Sequence, residues 1–265
     1  MIPTVLTIAG TDPSGGAGIA ADLKTFSALG AYGTLVVTAV TAQSTRGVNA
    51  VLQLSGSVVE QQLETLLEDV RVDAVKIGML GSAEVTLAVA AVLRRHRLPV
   101  VVLDPVMVAT SGDRLLDAEA VAALRDELLP LVDLVTPNVS EAADLLGVPE
   151  ARDEEELSAQ LARLAALCPR VLLKGGHLAG PMSVDLLALD GEVVRLAAPR
   201  VDTTSTHGTG CMLSAAIAAL RPTAPDWVTA VRGAKVYLTA ALRASDQLDV
   251  GAGHGPVHHF HALWL

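Results

Sequence analysis

Apolar residues follow two rhythms along this chain. Short continuous aliphatic runs at 5–9, 35–40, 74–77, 100–103, 134–135 and 171–173 read as buried strands. Between them, stretches with the 3.6-residue period predict helices at 17–29, 57–69, 82–96, 117–128, 140–146 (capped by Ser140) and 153–167, the last with an acidic front. Residues 48–54 alternate like an exposed or edge strand, and 184–189 and 193–197 flank Asp190-Gly191, a strong hairpin signal. Helices at 209–220 and 227–244 close the chain. Strands alternating with helices predict an α/β fold with a mostly parallel, doubly wound sheet and an antiparallel hairpin near one edge. No Pro/Ser linker and no fixed-period repeat interrupts the 265 residues, so one domain over 1–265 is expected.

Ligands of such sheets lie beyond the carboxyl ends of the strands. Asp12, Gln43, Lys76, Asp104, Asn138 and Lys174 each sit at or just after a predicted strand end. The segment His207-Gly208-Thr209-Gly210-Cys211 opens the apolar run 212–220. Unpaired amides and the macrodipole at such a helix start suit a phosphate, and the same field is expected to lower the pKa of Cys211. A Gly-rich turn feeding a core helix is the competing reading. Gly16-Ala17-Gly18-Ile19-Ala20-Ala21 fits the dinucleotide pattern, which also demands an acidic residue about 20 positions on. None stands between Asp22 and Glu60, so a nicotinamide site is not expected; these glycines serve a turn or a close backbone approach.

Asn138 and Glu141 lie one helical turn apart, able to steer a hydrated Mg²⁺ or to form an N-cap with its N3 partner; the residues alone favour the cap. Asp104 before Pro105 is a metal-side or phosphate-side carboxylate or a loop residue, and Lys174 before Gly175-Gly176 a phosphate ligand or a solvated turn lysine. Gln43 offers a donor and an acceptor to an aminopyrimidine edge, and Met79 an apolar wall. His254, His258, His259 and His261 read as a docking tail rather than a metal site, and Cys168 as an inert helix-end residue.

Composition narrows the class. Apolar residues make up 51% and aromatics 2%, which suits helices packed on an aliphatic parallel sheet. A net charge of −10 without a basic block argues against nucleic acid and acidic membrane as partners. Two cysteines form no disulfide framework, no stretch reaches the ~18 apolar residues of a span, and the start lacks the charged region of a signal peptide. A cytoplasmic protein is expected.

The segments 7–18, Ala42-Gln43, 76–80, Asp104-Pro105-Val106-Met107, Thr136-Pro137-Asn138, Lys174-Gly175-Gly176-His177, 206–211 and the tail 255–261 together resemble the hydroxymethylpyrimidine/phosphomethylpyrimidine kinases of thiamin biosynthesis, members of the ribokinase-like superfamily. The resemblance implies a three-layer α/β/α sandwich, ATP and Mg²⁺ as cofactors, and a homodimer. It implies phosphorylation of 4-amino-5-hydroxymethyl-2-methylpyrimidine to its monophosphate and then to the diphosphate. Carried over, Gln43 pairs with the pyrimidine, and Gly10, Asp22, Met79 and Val106 shape its pocket. Asp104, Asn138 and Glu141 serve Mg²⁺. Asn138, Lys174, Gly208 and Gly210 face the ATP, while Gly208, Thr209 and Gly210 form the anion hole. Cys211 stands at the catalytic position, where sugar-phosphorylating relatives carry an aspartate. Thr110 replaces a usual lysine in Ala109-Thr110-Ser111-Gly112-Asp113; Ser44, Thr204-Ser205 and Met212 also depart from the pattern. A pyridoxal or pyridoxine kinase of the same fold is the alternative, with a non-catalytic sensor of thiamin precursors behind it.

Overall fold

The computed structural model describes residues 1–108 and 116–264. The variant loop 109–113 therefore lies outside the described residues. Eight strands form one sheet in the order β10-β9-β8-β7-β6-β5-β1-β2: β1 Thr4–Ala9, β2 Tyr32–Val37, β5 Ala74–Ile77, β6 Val101–Leu103, β7 Leu134–Val135, β8 Arg170–Lys174, β9 Met182–Leu189 and β10 Glu192–Pro199. From β8 to β2 all pairs are parallel; β9 runs antiparallel to both β8 and β10, which gives the edge hairpin. Asp190 and Gly191 both take positive φ (50° and 83°), as its tight turn requires.

Side-chain alternation sorts the aliphatic strands onto two faces. Leu6, Ile8, Val75, Ile77, Val101 and Leu103 face one core, covered by α2 Gly56–Leu67, α3 Ala83–Arg95, α4 Ala118–Ala123, α5 Val139–Leu146 and α6 Glu154–Leu164. Val5, Ala74, Val102, Leu134 and Leu172 face the other, against α1 Gly18–Ala28, α7 Thr209–Leu220 and α8 Trp227–Arg243. These are the three layers of an α/β/α sandwich. Thr7 and Lys76 share the parity of Val5 and Ala74, so one polar line crosses the second face, with consequences below.

Most helix starts carry the caps their sequences announce: Ser55, Ser82, Asp117, Asp153 and Asp226 each accept an amide from the first turn. Two expectations need correction. Asn138, not Ser140, caps α5, and Ser140 lies inside the helix. The run 35–40 is not one strand. It breaks at Thr38, whose N–H reaches Ala9 O and whose hydroxyl reaches Met79 O at 2.7 Å. The chain then leaves the main sheet as β3 Ala39–Ser44, pairing with β4 Gly47–Gln53 in a separate ribbon. The helix expected at 117–128 is α4 continued by a π turn, Leu124–Leu128.

Candidate active site

At the carboxyl ends of the parallel strands opens a cavity of about 600 Å³. Its wall includes all six strand-end polar residues: Asp12, Gln43, Lys76, Asp104, Asn138 and Lys174. The start of α7 forms its floor. Gly208 caps that helix in the left-handed region (φ 79°), and no side chain covers the first-turn amides. A Cβ on Gly208 would collide with Gly16 O, so the turn approaches the β1–α1 loop only without one. A Cβ on Gly210 would stand 3.2 Å from Asp104 Oδ2 and 3.3 Å from Lys174 Nζ, which places the amides beside both groups. The turn is open to the cavity, not a packed core junction.

Lys174 donates to Asp104 Oδ1 at 2.9 Å and lies 3.7 Å from Glu141 Oε2. Burial would lower the Lys174 pKa, but the two carboxylates outweigh it and hold the group raised and charged. Burial drives Glu141 the other way, up to about 7, with Lys174 opposing and Asp104 assisting. Asn138 and Glu141 form a reciprocal capping box: Asn138 Oδ1 accepts the Glu141 amide at 2.9 Å, and Glu141 Oε2 accepts the Asn138 amide at 2.7 Å. The cap reading and the cavity-lining position thus coexist. No group of three or more His, Cys, Asp or Glu ligands converges among the described residues, so these residues build no closed metal cage. Two carboxylates at the cavity wall fit a hydrated Mg²⁺, which keeps its waters and takes few protein oxygens.

Behind the floor, Lys76 Nζ donates to Asp22 Oδ2 at 2.8 Å, and the Thr7 hydroxyl donates to the same oxygen at 2.6 Å. Asp22 Oδ1 is buried and has no partner. Asp22 is therefore not on the cavity wall as expected of a pocket-shaping residue; it acts on the cavity through Lys76, which is. A Cβ on Gly78 would stand 2.7 Å from Lys76 Nζ, so that glycine makes room for the ammonium. Burial would lower Lys76, yet Asp22 keeps it raised.

Cys211 lines the cavity, but the expected depression of its pKa is contradicted. Desolvation pushes the thiol up to about 11, and Lys76 only partly offsets that, against Asp22 and Asp104. The helix field is present; the loss of water outweighs it.

At the other end stand Gly10, Gln43, Met79 and Val106. A Cβ on Gly10 would collide with Met79 Cε, so Gly10 seats that wall. Gln43 lies on β3 where the ladder slips: Ala42 pairs with Ala50 but Gln43 with Val48, leaving Asn49 as a bulge. Its amide has no protein partner among the described residues. Thr41 pins the ribbon to the β1–α1 loop through Thr11, at 2.8 and 3.0 Å.

Two features of the wall escaped sequence reasoning. Lys235 pairs with Asp185, whose other oxygen accepts Gly175 N–H at 3.1 Å, joining α8 to the loop after Lys174. Asp12 accepts Ser14 N, Ala17 N and His207 Nε2. Burial alone would raise the Asp12 carboxyl, but His207 and Ser14 outweigh it and hold it below its usual range. Only the strand-end position of Asp12 and the acid/base character of both partners hinted at these links.

A family model described as phosphomethylpyrimidine kinase matches residues 12–258. The hydroxymethylpyrimidine/phosphomethylpyrimidine kinase of Escherichia coli is 56% identical over 261 residues, 98% of each chain. A thiamine biosynthesis bifunctional protein of Geobacter sulfurreducens is 48% identical over 97% of this chain and 52% of its own length. Among solved structures, pyridoxal kinase of Bacillus subtilis in an ADP complex superposes with a TM-score of 0.91 at 33% identity, covering 99% of both chains.

Proposed function

We propose how this chain, which belongs to the phosphomethylpyrimidine kinase family, uses its cavity for phosphoryl transfer. It is an ATP-dependent kinase of ribokinase-like fold that phosphorylates 4-amino-5-hydroxymethyl-2-methylpyrimidine to the monophosphate and then to the diphosphate, in thiamin biosynthesis. One observation carries the residue assignment: a single cavity joins a free amide side chain at Gln43, a thiol at Cys211, the Gly208–Gly210 turn with no side-chain cap (Thr209 N–H makes only a long 3.3 Å bond, to Thr206 O), and the Lys174 ammonium.

In our reading Gln43 pairs with the aminopyrimidine edge, while Gly10, Met79 and Val106 close around the ring. Asp22 serves that pocket by holding Lys76. The alcohol oxygen then faces Cys211 and attacks the terminal phosphorus of ATP; as the new O–P bond forms, the bond from that phosphorus to the bridging oxygen breaks, ADP leaves, and the hydroxyl proton passes to the transferred phosphate or to water. Amides of Gly208, Thr209 and Gly210 donate to the oxygens of the migrating phosphoryl, and Lys174 neutralises the oxygens nearest Asp104. Asp104, Asn138 and Glu141 would hold Mg²⁺ through its waters, and the ion would supply neutralisation of phosphate charge. General-base help is typically worth ~10²–10⁴-fold, but a thiol pushed to about 11 is a poor base near neutral pH. We therefore rank the amides and the cation above the base.

Mg-ATP and the pyrimidine alcohol incubated with the purified protein should give monophosphate followed by diphosphate, read by product chromatography. Monophosphate alone would confine the protein to the first step. Phosphorylation of pyridoxal is the second reading, favoured by the TM-score of 0.91 to a pyridoxal kinase, and the ratio of turnover on the two alcohols decides it. We also infer a single domain and, from the family likeness, a cytoplasmic homodimer, which sedimentation tests. No helix of the described residues is long and apolar enough to cross a membrane.

A further inference from the structure

The amides that receive the phosphoryl sit on a turn whose N-cap is a left-handed glycine with no side-chain bond of its own. Something else must hold it, because displacement by about 1 Å at such a site costs on the order of 10²-fold in rate. The residue next to it in the chain is His207, which is buried. Its Nε2 meets Asp12 Oδ2 at 2.7 Å. Asp12 is itself buried and wraps the β1–α1 loop around its carboxylate through Ser14 N at 2.9 Å and Ala17 N at 2.8 Å. The backbone N–H of His207 donates to Gly255 O at 3.1 Å, and His207 forms a parallel bridge with Pro256.

Three distant segments thus meet at one residue, the β1–α1 loop at its ring and the C-terminal segment at its backbone. Their approach is close enough that a Cβ on Gly16 would collide with the His207 ring and stand 3.2 Å from Pro256 Cβ. The C-terminal segment is anchored on both sides of this contact. Val257 is buried with Met212 and Ala241, His258 N–H donates to Ala241 O, and Tyr237 hydroxyl donates to His259 O at 2.6 Å. Upstream, Gly253 N–H donates to Thr45 Oγ1 at 3.2 Å, at the tip of the ribbon that carries Gln43. The chain end is a strap from the pyrimidine-facing ribbon to the phosphate turn, and His207 is where it fastens.

We propose that His207 is a positioning residue for phosphoryl transfer: its bond to Asp12 and its backbone bond to Gly255 fix the Gly208–Cys211 turn relative to the β1–α1 loop and the Gln43 ribbon. This rests on the kinase reading above. His207 touches no reacting atom in this account, so its removal acts on turnover and not on ground-state binding.

Steady-state kinetics and melting temperatures of His207→Leu, His207→Gln, Asp12→Asn and the double variant His207→Leu/Asp12→Asn test it. His207→Leu should lower kcat about 10- to 100-fold with KM for both substrates within about twofold. His207→Gln, whose amide nitrogen can donate where Nε2 does, should restore kcat to within about threefold of wild type. Asp12→Asn should cost less than His207→Leu, and the double variant no more than the worse single one. Equal losses in the Leu and Gln variants, a loss that tracks melting temperature across the set, or a raised KM with unchanged kcat would each overturn the proposal. Wild-type turnover on the pyrimidine alcohol is the separate control for the substrate reading; if it is absent, the same comparisons are made on the rate of ATP hydrolysis.

Discussion

Lys76 pairs with Asp22 at 2.8 Å and Lys174 with Asp104 at 2.9 Å, and Cys211 is an electrostatic neighbour of both lysines. Chemically they are the same pair. The first is closed to solvent although Lys76 forms part of the cavity wall: both side chains are fully buried, Thr7 is the other hydrogen-bond partner of Asp22 among the described residues, and one carboxylate oxygen has no partner. The second opens on the cavity, with Lys174 side chain 13% exposed, and shares its lysine with Glu141. Lys76 meets the cavity with its counter-charge wholly buried behind it; Lys174, with a second carboxylate 3.7 Å away, can exchange a carboxylate for a phosphate oxygen as ligands arrive. The contrast teaches that burial, not residue type, divides scaffold from machinery here.

Breaking the first pair should give the largest effect. Asp22→Asn leaves an uncompensated ammonium in the core and should destabilise the fold by about 3–5 kcal/mol in urea unfolding. Lys174→Met should reverse the balance, lowering kcat by on the order of 10²-fold, as loss of one oxyanion donor does, while unfolding free energy falls by less than in Asp22→Asn. Similar stability losses in the two variants would erase the distinction.

Acidity sharpens it further. Glu141 is raised in the fold to about 7, above its unfolded value of 4.5. Below pH 4.5 both states hold the proton and the stability is full; between 4.5 and about 7 the unfolded chain releases the proton that the native state still binds, and stability falls. The ligand-free protein should therefore lose up to about 3 kcal/mol from this group between pH 4.5 and 8, and Glu141→Gln should abolish that slope. Turnover, which uses the ionised carboxylate, should rise over the same window in wild type. The smallest effect is expected at the thiol: Cys211→Ala should retain measurable turnover, about 10-fold reduced, below the usual range for loss of a general base. Undetectable turnover with intact ATP binding would invert our ranking.

Much of this was legible in the chain. The alternation of aliphatic runs and amphipathic helices predicts the sandwich, and α7 has the bounds expected of it, 209–220. What stayed hidden depends on direction and distance. Residues 35–40 look like one strand because periodicity reports burial and not the bend at Thr38. Lys76 and Asp22 stand 54 residues apart, and a lysine in sequence reads as surface until a counter-charge is found in the core. The helix field on Cys211 is a local property and could be foreseen; the desolvation that defeats it comes from the tertiary packing. His207 and Asp12, separated by 195 positions, carry no shared pattern at all.

The slip at Asn49 has a further consequence. One unmatched residue on β4 resets the phase of that strand against β3, so straightening it would turn the β4 side chains beyond it to the opposite face of the ribbon while Gln43, set by the unbroken alternation of β3, keeps its own. A single-residue change within β3, by contrast, would carry Gln43 to the outer face, so that strand tolerates length changes only in steps of two.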